Sequence, residues 1–414
     1  MSDLKLGEKV KVGIFSLVGT TIEYYDFFLY ALLSVLVFPK IFFPPGYSQL
    51  SAMLISLSTY FVSFLARPVG AMIFGNMGDK QGRRTGLSLN MVLVGASYVL
   101  IGSLPGYSAL GFDSVLLLVL LRFLFGLGIG GEYGGAIAIV LECNWKSENK
   151  GLWSWFVQSG PALGEMFALL GLLVFHRDLT LWWRVLVLLG GIIAIINFFV
   201  RKNISESPAF LEVLRLRRMT PLARAIKNYY KQILVSSALV SLGASVTTLI
   251  ATYALPIMKL DNVSLAVGIQ YLMVGDTVVL ISLLPLTWLG TTLRRSLVAM
   301  SFLVLLGALV SLPGLYFLFS GKDLLLAIVL LKLSTISWAQ YGLLNASSFP
   351  VEVRYTASGF SYQIGAMYAG GLSPLISSFF VVHGSFLDVY FIVLGYTMVS
   401  GIGLVLYRIL SVQR

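Results

Sequence analysis

The sequence has little charge, two histidines and one cysteine. Charged residues make up 11% of the 414 residues and hydrophobic residues 57%, whereas soluble globular proteins carry about 25% charge. The lone Cys143 excludes an intramolecular disulfide and a cysteine metal cluster, and His176 and His383 are too few for a usual histidine metal site. These shortages predict a polytopic membrane protein with no metal and no cofactor.

Long apolar runs are what the sequence has instead. There are twelve, in two sets of six, and this arrangement suggests duplication. The first run is expected to persist as a permanent helix, because the core of a signal peptide would not contain its two carboxylates. The runs cover residues 12–38, 50–76, 86–104, 114–141, 151–174, 183–200, 232–258, 264–289, 296–319, 323–346, 356–382 and 388–407.

The predicted fold class is an all-α membrane protein with twelve transmembrane helices in two pseudo-symmetric six-helix bundles. The N-terminal bundle takes residues 1–200 and the C-terminal bundle takes residues 232–414. Residues 201–231 are predicted to form a basic cytoplasmic linker, either as a helix on the membrane surface or as a solvated segment.

Lysine and arginine are distributed unevenly over the loops. If both termini are cytoplasmic, most of the 29 basic residues fall on the cytoplasmic side, which explains the net charge of +11 without a nucleic-acid partner. We therefore expect a multi-pass protein of the cell membrane with both termini in the cytoplasm. The basic residues expected outside are Lys40, Arg177, Arg184, Lys259 and Lys322.

Several charged residues lie deep within the apolar runs. Each costs about 3 kcal/mol at the centre of a bilayer unless it faces a polar cavity, finds a partner or is neutralised. We therefore expect them to converge on an interior polar pathway. Arg67 and Glu142 are interpreted instead as end residues that reach the membrane surface. The deep residues are Glu23, Asp26, Arg122, Glu132, Glu165, Asp276 and Lys332.

Depth along the helices predicts two ion pairs. At about 1.5 Å of rise per residue, Asp26 and Arg122 lie at similar depths from the outer ends of their runs, and so do Asp276 and Lys332. A neighbouring arginine favours the ionised form of a carboxylate, and this preference is lost when the arginine moves away. Asp26 is therefore the predicted proton switch.

The loop between the second and third runs carries a family pattern. Its sequence, Gly75-Asn76-Met77-Gly78-Asp79-Lys80-Gln81-Gly82-Arg83-Arg84, resembles the signature loop of the major facilitator superfamily. Residues 122–128 and 160–164 are similar to its fourth-helix and fifth-helix motifs. The resemblance implies the major facilitator fold with a cytoplasmic gate, in which Asp79 caps an opposing helix N-terminus. The predicted gate residues are Gly75, Asp79, Gly82, Arg83, Arg84 and Glu142.

Residues 23–27, 130–136, 206–210 and 349–355 resemble the metabolite:proton symporter branch of that superfamily. Members of the branch carry citrate, dicarboxylates, shikimate-like acids, proline or betaine together with protons. The resemblance implies proton-coupled symport of a small polar metabolite by alternating access, by a monomer that is not an enzyme. The second copy of the signature loop, residues 288–295, keeps an arginine pair but lacks the aspartate, and Glu165 and Asp276 match no family motif.

Two groups of site residues follow. Proton coupling is predicted at Asp26, Glu23, Arg122 and Glu132, the last toward the cytoplasmic half of the fourth helix. Lys332 could receive a carboxylate, yet the deep acids outnumber the deep bases, so a neutral, zwitterionic or cationic solute stays open. The predicted substrate contacts are Gln158, Glu165, Tyr253, Asp276, Lys332, Trp338, Gln340 and Tyr341.

Other functions of the same chain stay open at this stage. A proton-driven exporter or a facilitative transporter would share the fold and much of the motif set. A membrane enzyme would need a nucleophile, a metal cluster or a cofactor loop near one interface, and the sequence has no such motif. A transporter-like sensor without flux is a further alternative.

Cysteine labelling tests the predicted orientation. In a variant with Cys143 replaced, single cysteines at Ser108 and His383 should react with an impermeant maleimide added outside the cell, whereas cysteines at Gln81 and Arg218 should not. The measurement is the labelling yield in intact cells, with permeabilised cells as the control. Labelling at Gln81 from outside would contradict the orientation.

Overall fold

The computed structural model describes residues 5–44, 49–144, 146–201, 206–215, 222–382 and 385–412, and every regular element in these ranges is helical. His383 and Arg218, two of the labelling positions, lie outside the described residues. Twelve long helical segments follow one another along the chain. They are α1 (Leu6–Leu36), α2 (Gln49–Gln81), α3 (Arg83–Ser103), α4 (Asp113–Gly130 and Glu132–Cys143), α5 (Lys150–Gln158 and Gly160–Phe175), α6 (Leu179–Arg201), α7 (Leu222–Leu239 and Ser241–Leu260), α8 (Leu265–Trp288), α9 (Leu293–Ser320), α10 (Leu324–Leu333 and Trp338–Ser347), α11 (Arg354–Gly365, Ala366–Gly371 and Leu372–Val382) and α12 (Phe386–Val412).

The prediction of twelve helices is confirmed, with shifted ends. Within the described ranges, ten of the segments are long and apolar enough to cross a membrane, while α1 and α11 contain more polar residues. α1 begins at Leu6 rather than at residue 12, because the helix continues past the apolar run into a charged turn. The helical segment that leads into α7 begins at Leu222 rather than at residue 232 and is kinked at Tyr229. Part of the basic segment forms a short helix, Pro208–Arg215.

Five of the helices are interrupted inside the bundle. An interruption frees backbone groups, which is tolerated at membrane depth only where protein or a polar cavity meets them. Those in α5, α7, α10 and α11 lie beside the central cavity described below. The interruptions are at Gly131 in α4, Ser159 in α5, Val240 in α7, residues 334–337 in α10 and the π-helical turn Ala366–Gly371 in α11.

One end of the bundle is closed by close helix contacts. We call it the signature-loop end, defined by the turn at Gly82 between α2 and α3 and by the facing segment 348–354. Gly82 has a φ of +116°, a conformation that favours glycine. Nearby, a Cβ on Gly134 of α4 would lie 2.5 Å from Gly359 Cα and 2.7 Å from Tyr355 O of α11. α4 and α11 can therefore pack this closely only with glycine at position 134.

Gly134→Val should open the signature-loop end. The obstructing atoms are backbone atoms of α11, so the added side chain can be accommodated only if the helices separate. Overpacking costs about 1–3 kcal/mol, which raises the population of the open arrangement relative to the closed one by about fivefold or more. Alkylation of a cysteine placed at Ser358 should accelerate by the same factor, because position 358 is exposed only in the open arrangement. Ser358 is fully buried at this contact. The rate of maleimide reaction is measured after Cys143 is replaced.

Gly401→Val is the matched control, because a Cβ on Gly401 of α12 would meet nothing within 4 Å. This variant should leave the reaction rate at position 358 unchanged. An unchanged rate in Gly134→Val as well would contradict the importance of this contact.

Candidate functional site

A cavity of about 70 Å³ lies at the centre of the bundle. Side chains from α1, α2, α5, α7, α8, α10 and α11 line it, so both halves of the chain contribute. Most of the wall is aromatic or aliphatic. Its polar and charged lining residues are Tyr24, Gln158, Glu165, Thr247, Asp276, Lys332, Thr335, Trp338 and Tyr362.

Three charged side chains meet in this cavity, and we call them the Lys332 cluster. Lys332 Nζ on α10 donates to Asp276 Oδ1 on α8 at 2.6 Å and to Glu165 Oε2 on α5. All three side chains are buried, and Asp276 Oδ2 has no hydrogen-bond partner. The pair predicted from depth, Asp276 with Lys332, is present, and Glu165 joins it from the other half of the chain.

The second pair predicted from depth is also present. Arg122 Nη1 on α4 donates to Asp26 Oδ1 and Oδ2 on α1 at 3.0 and 3.1 Å. Arg122 Nη2 donates to Ser63 Oγ at 3.2 Å, and the guanidinium carbon lies 3.6 Å from the centre of the Tyr30 ring. Asp26 and Arg122 are buried but do not line the central cavity.

The interpretation of Arg67 as an end residue that reaches the membrane surface is wrong. It is fully buried in α2, with Nη1 3.7 Å from Glu23 Oε1 and the guanidinium 4.5 Å from the centre of the Phe64 ring. None of the side-chain nitrogens of Arg67 or the carboxylate oxygens of Glu23 makes a hydrogen bond. The position of Arg67 well inside the run 50–76 is the sequence signal for a deep cation.

Glu132 forms a separate cluster with a residue that the sequence assigns to the linker. Arg201, the last residue of α6, is buried; its Nη1 donates to Glu132 Oε2 at 2.7 Å and its Nη2 donates to Oε1. Asn90 Nδ2 donates to the same carboxylate at 3.2 Å. Glu132 therefore ties α4 to α3 and α6 and does not contact the Asp26–Arg122 pair, because it lies in the segment of α4 beyond the interruption at Gly131.

The predicted gate residues meet at the signature-loop end. Asp79 accepts hydrogen bonds from the backbone N–H groups of Tyr355 and Thr356 at 3.2 and 2.9 Å, in the first turn of α11. A carboxylate in this position is stabilised by the helix dipole. Gly75 lies against the Thr356 backbone, where a Cβ would be 2.6 Å from Thr356 Cα.

Two arginines extend this contact across the halves. Arg83 donates to Asp79 Oδ1 at 2.5 Å and to Glu142 at 3.1 and 3.3 Å, and Arg354 Nη1 donates to Glu142 Oε1 at 3.2 Å. Glu142 is buried in this network, so its interpretation as an end residue that reaches the membrane surface is wrong.

The linker also reaches the gate. Arg84 donates its backbone N–H to Glu206 Oε2 at 3.2 Å, and Ser207 N–H donates to Glu206 Oε1 at 2.9 Å. Burial raises the pKa of the Glu206 carboxyl above its usual range, although both hydrogen bonds favour the ionised form. The Phe210 ring lies 4.9 Å from the Arg83 guanidinium. Residues 206–210 therefore cover the signature loop.

Gln158 and Trp338 close the cavity between the halves. Gln158 Nε2 donates to the Trp338 carbonyl, and Trp338 Nε1 donates to the Gln158 carbonyl at 3.1 Å. Tyr133 donates to Gln158 Oε1 at 3.1 Å. Tyr24 and Tyr362, which are not among the predicted substrate contacts, also meet across the halves, with their hydroxyl oxygens 2.5 Å apart.

Three predicted substrate contacts lie outside the central cavity. Tyr253 donates to Pro374 O at 2.5 Å and lines a separate apolar cavity of about 20 Å³. Gln340 accepts from Ser296 Oγ at 2.6 Å and donates to Leu286 O. Tyr341 stacks on Trp338, with the ring centres 5.3 Å apart, behind the cavity wall. Tyr253 and Gln340 bond to neighbouring helices and Tyr341 packs against aromatic rings, and none of the three lines the central cavity.

Comparison with known proteins identifies the family. Residues 12–232 match the family model for sugar (and other) transporters. The chain is 32% identical over 394 residues to the inner membrane metabolite transport protein YhjE of Escherichia coli (strain K12), which covers 90% of this chain and 88% of that protein. It is 26% identical over 400 residues to the shikimate transporter of the same organism, covering 92% and 90%.

Solved structures share the fold. The major facilitator superfamily proton:xylose symporter XylE, bound to 6-bromo-6-deoxy-D-glucose, superposes with a TM-score of 0.71 at 16% identity, covering 96% of this chain and 95% of that one. The family model, the relatives and the fold together define a transporter of the major facilitator superfamily that resembles the metabolite:proton symporter branch, and not an enzyme. The chain belongs to the sugar (and other) transporter family, as a multi-pass membrane protein with a small-molecule substrate.

Asp79→Asn should open the signature-loop end without unfolding the protein. The substitution removes the anion that caps α11 and pairs with Arg83, an interaction of about 2 kcal/mol. The population of the closed state should therefore fall by roughly thirtyfold relative to the open state. The measurement is again the alkylation rate of a cysteine at Ser358.

Lys80→Gln is the control for the loss of a charge in the same loop, because Lys80 is exposed. It should leave the rate unchanged. If Asp79→Asn behaves like Lys80→Gln, the signature loop does not hold the gate closed.

Proposed function

We propose that this protein is a proton-coupled symporter of a small polar metabolite that works by alternating access. Two bundles, residues 1–200 and 232–414, would move about the central cavity while the segment 201–231 connects them. The observation that carries the proposal is the separation of two buried ion clusters. The Lys332 cluster lies in the cavity, whereas the Asp26–Arg122 pair lies outside it.

α1 connects the two clusters. Its residues Tyr24, Phe27 and Phe28 line the cavity, and Asp26 on the same helix pairs with Arg122 of α4. Protonation of Asp26 would remove the charge that holds Arg122 and so loosen α1 from α4. Movement of α1 would in turn change the cavity wall, which couples proton binding to solute binding without direct contact between the two.

The distribution of lysine and arginine supports a cytoplasmic signature-loop end and cytoplasmic termini. In this orientation the gate of Asp79, Arg83, Glu142 and Arg354 closes the cytoplasmic side. The membrane would be the cell membrane. Because helices of one chain enclose the cavity, we treat the monomer as the transporting unit.

Glu23 and Glu132 take different places in this scheme. Glu23 lies near Arg67 without a hydrogen bond, so it is the second candidate for proton binding. Glu132 is held by Arg201 and Asn90, so its first role is to fix α4 against α3 and α6.

Asp26→Asn should abolish accumulation against a gradient. The amide keeps the size of the side chain but does not titrate, so the proton gradient can no longer drive uptake. One proton moving down about 100 mV supplies about 2.3 kcal/mol, enough for roughly a fiftyfold solute gradient, and this should fall to no gradient. Uptake is measured in reconstituted vesicles with a solute selected by a thermal-shift screen of the purified protein.

Exchange and control variants complete the test. Solute exchange at equal concentrations should persist in Asp26→Asn, whereas Arg122→Ala should impair both activities because it leaves Asp26 buried without its partner. Asp113→Asn, an exposed carboxylate at the start of α4, should behave like the unmodified protein. If Asp26→Asn still accumulates solute, the switch lies elsewhere and Glu23 is tested next. If no carboxylate is required, facilitated diffusion replaces symport.

A further inference from the structure

We propose that the solute carries an organic ammonium group, which takes the place of Lys332 Nζ between the carboxylates of Glu165 and Asp276. The solute would therefore be a small cation or zwitterion and not an anion or a neutral sugar. This inference rests on the proposed function and narrows the solute class for the same cavity.

The first argument is the geometry of the two carboxylates. Glu165 Oε2 and Asp276 Oδ1 both contact a single ammonium nitrogen, that of Lys332. Lysine has a flexible side chain with a compact charge, so Lys332 Nζ can move out of the space between the two carboxylates. Asp276 Oδ2 has no donor, although it is buried. The site therefore has more acceptor capacity than Lys332 uses.

The second argument is the charge of the cavity. Glu165, Asp276 and Lys332 are the charged side chains among the described residues that line it. The cluster holds two carboxyl groups and one ammonium group, so acidic groups outnumber basic ones. A buried charge without a partner costs several kcal/mol, and an anionic solute would have to share Lys332 with both carboxylates. A cation would instead find two carboxylates, and a zwitterion could pair both of its charges within the cluster.

The third argument is the aromatic wall. The rings of Tyr24, Phe27, Phe28, Phe64, Trp338 and Tyr362 line the cavity. Aromatic faces attract cations, and they recognise alkylated ammonium groups in particular. Lys332 Nζ already lies 5.5 Å from the centre of the Phe28 ring. A solute cation in the same place would meet both the carboxylates and this ring.

The size of the cavity limits the solute. One water needs about 10–15 Å³ of such space, so a cavity of about 70 Å³ holds roughly five to seven water-sized groups. A small amine, amino acid or betaine is of this size.

Displacement of Lys332 would also affect the protein itself. The Glu165–Lys332 contact joins α5 of one half to α10 of the other. This contact neutralises part of the cluster and joins the two halves. A bound ammonium group would release Lys332, which could then pair with the carboxylate of a zwitterionic solute.

Paired ligands test the ammonium group directly. Binding to the purified full chain is measured by isothermal titration calorimetry with choline, a cation, and glycine betaine, a zwitterion. Each is compared with its carbon isostere, in which carbon replaces the quaternary nitrogen. At least one ammonium compound should bind at least about tenfold more tightly than its isostere. Equal binding of every pair, or no binding of either ammonium compound, would overturn the inference.

Variants test the assigned carboxylates. Asp276→Asn should weaken ammonium binding by about tenfold or more, and so should Glu165→Gln. Each variant tests the proposal by itself, so a result remains if one of them does not fold. Asp388→Asn is the control, because this carboxylate accepts a hydrogen bond from Ser385 at the start of α12, away from the cavity. Binding of an anion or a sugar that Asp276→Asn leaves unchanged or strengthens would contradict the proposal.

The outcome is separable from that of proton coupling. These titrations need no proton gradient, so they measure solute binding apart from proton coupling. If an ammonium compound binds but the proton gradient drives no uptake, the proposed symport is rejected and the ammonium site is kept. If the proton gradient drives accumulation of a carboxylate that has no ammonium group, the ammonium site is rejected and the proposed symport is kept.

Discussion

A charged side chain buried in a bilayer must be paired, and the architecture of this protein depends on that constraint. The described interior contains the Lys332 cluster, the Asp26–Arg122 pair, the Glu132–Arg201 cluster and the weaker Glu23–Arg67 contact. Each joins different helices, so the ionic contacts fix helix positions as well as neutralising charge. Removing one partner from such a pair costs about 3–5 kcal/mol, because the remaining charge is left in a low-dielectric interior.

The contacts within one half differ from those between halves. Asp26–Arg122 and Glu132–Arg201 lie among the first six helices, whereas Glu165–Lys332 and the gate around Asp79 and Glu142 cross to the last six. Movement of one bundle against the other must break contacts of the second kind and can preserve the first. Gly134 lets α4 and α11 pack closely at the signature-loop end, so this contact would also have to separate in such a movement.

The family resemblance accounts for the signature loop and for Asp26, but it does not account for the residues that would select the solute. The signature loop contributes Asp79 and Arg83 to the signature-loop end, and residues 23–27, which resemble the symporter branch, include Asp26. Glu165 and Asp276 match no family motif, yet they form the charged part of the cavity. The proteins named above include a shikimate transporter and a xylose symporter, so one fold serves more than one solute. Selectivity is then expected in cavity residues that lie outside the common motifs.

The sequence by itself determined the membrane class, the number of helices, the signature loop and two ion pairs. Hydropathy and depth are properties of position along one helix, so they can be read from residue types and a fixed rise per residue. Only the tertiary structure decided the partners of Arg67 and Arg201, the addition of Glu165 to Lys332, and the exclusion of Tyr253, Gln340 and Tyr341 from the cavity. The physical reason is that a membrane helix is apolar on its lipid face and on its packed face alike, so its rotation is set by its neighbours rather than by its own pattern of residues.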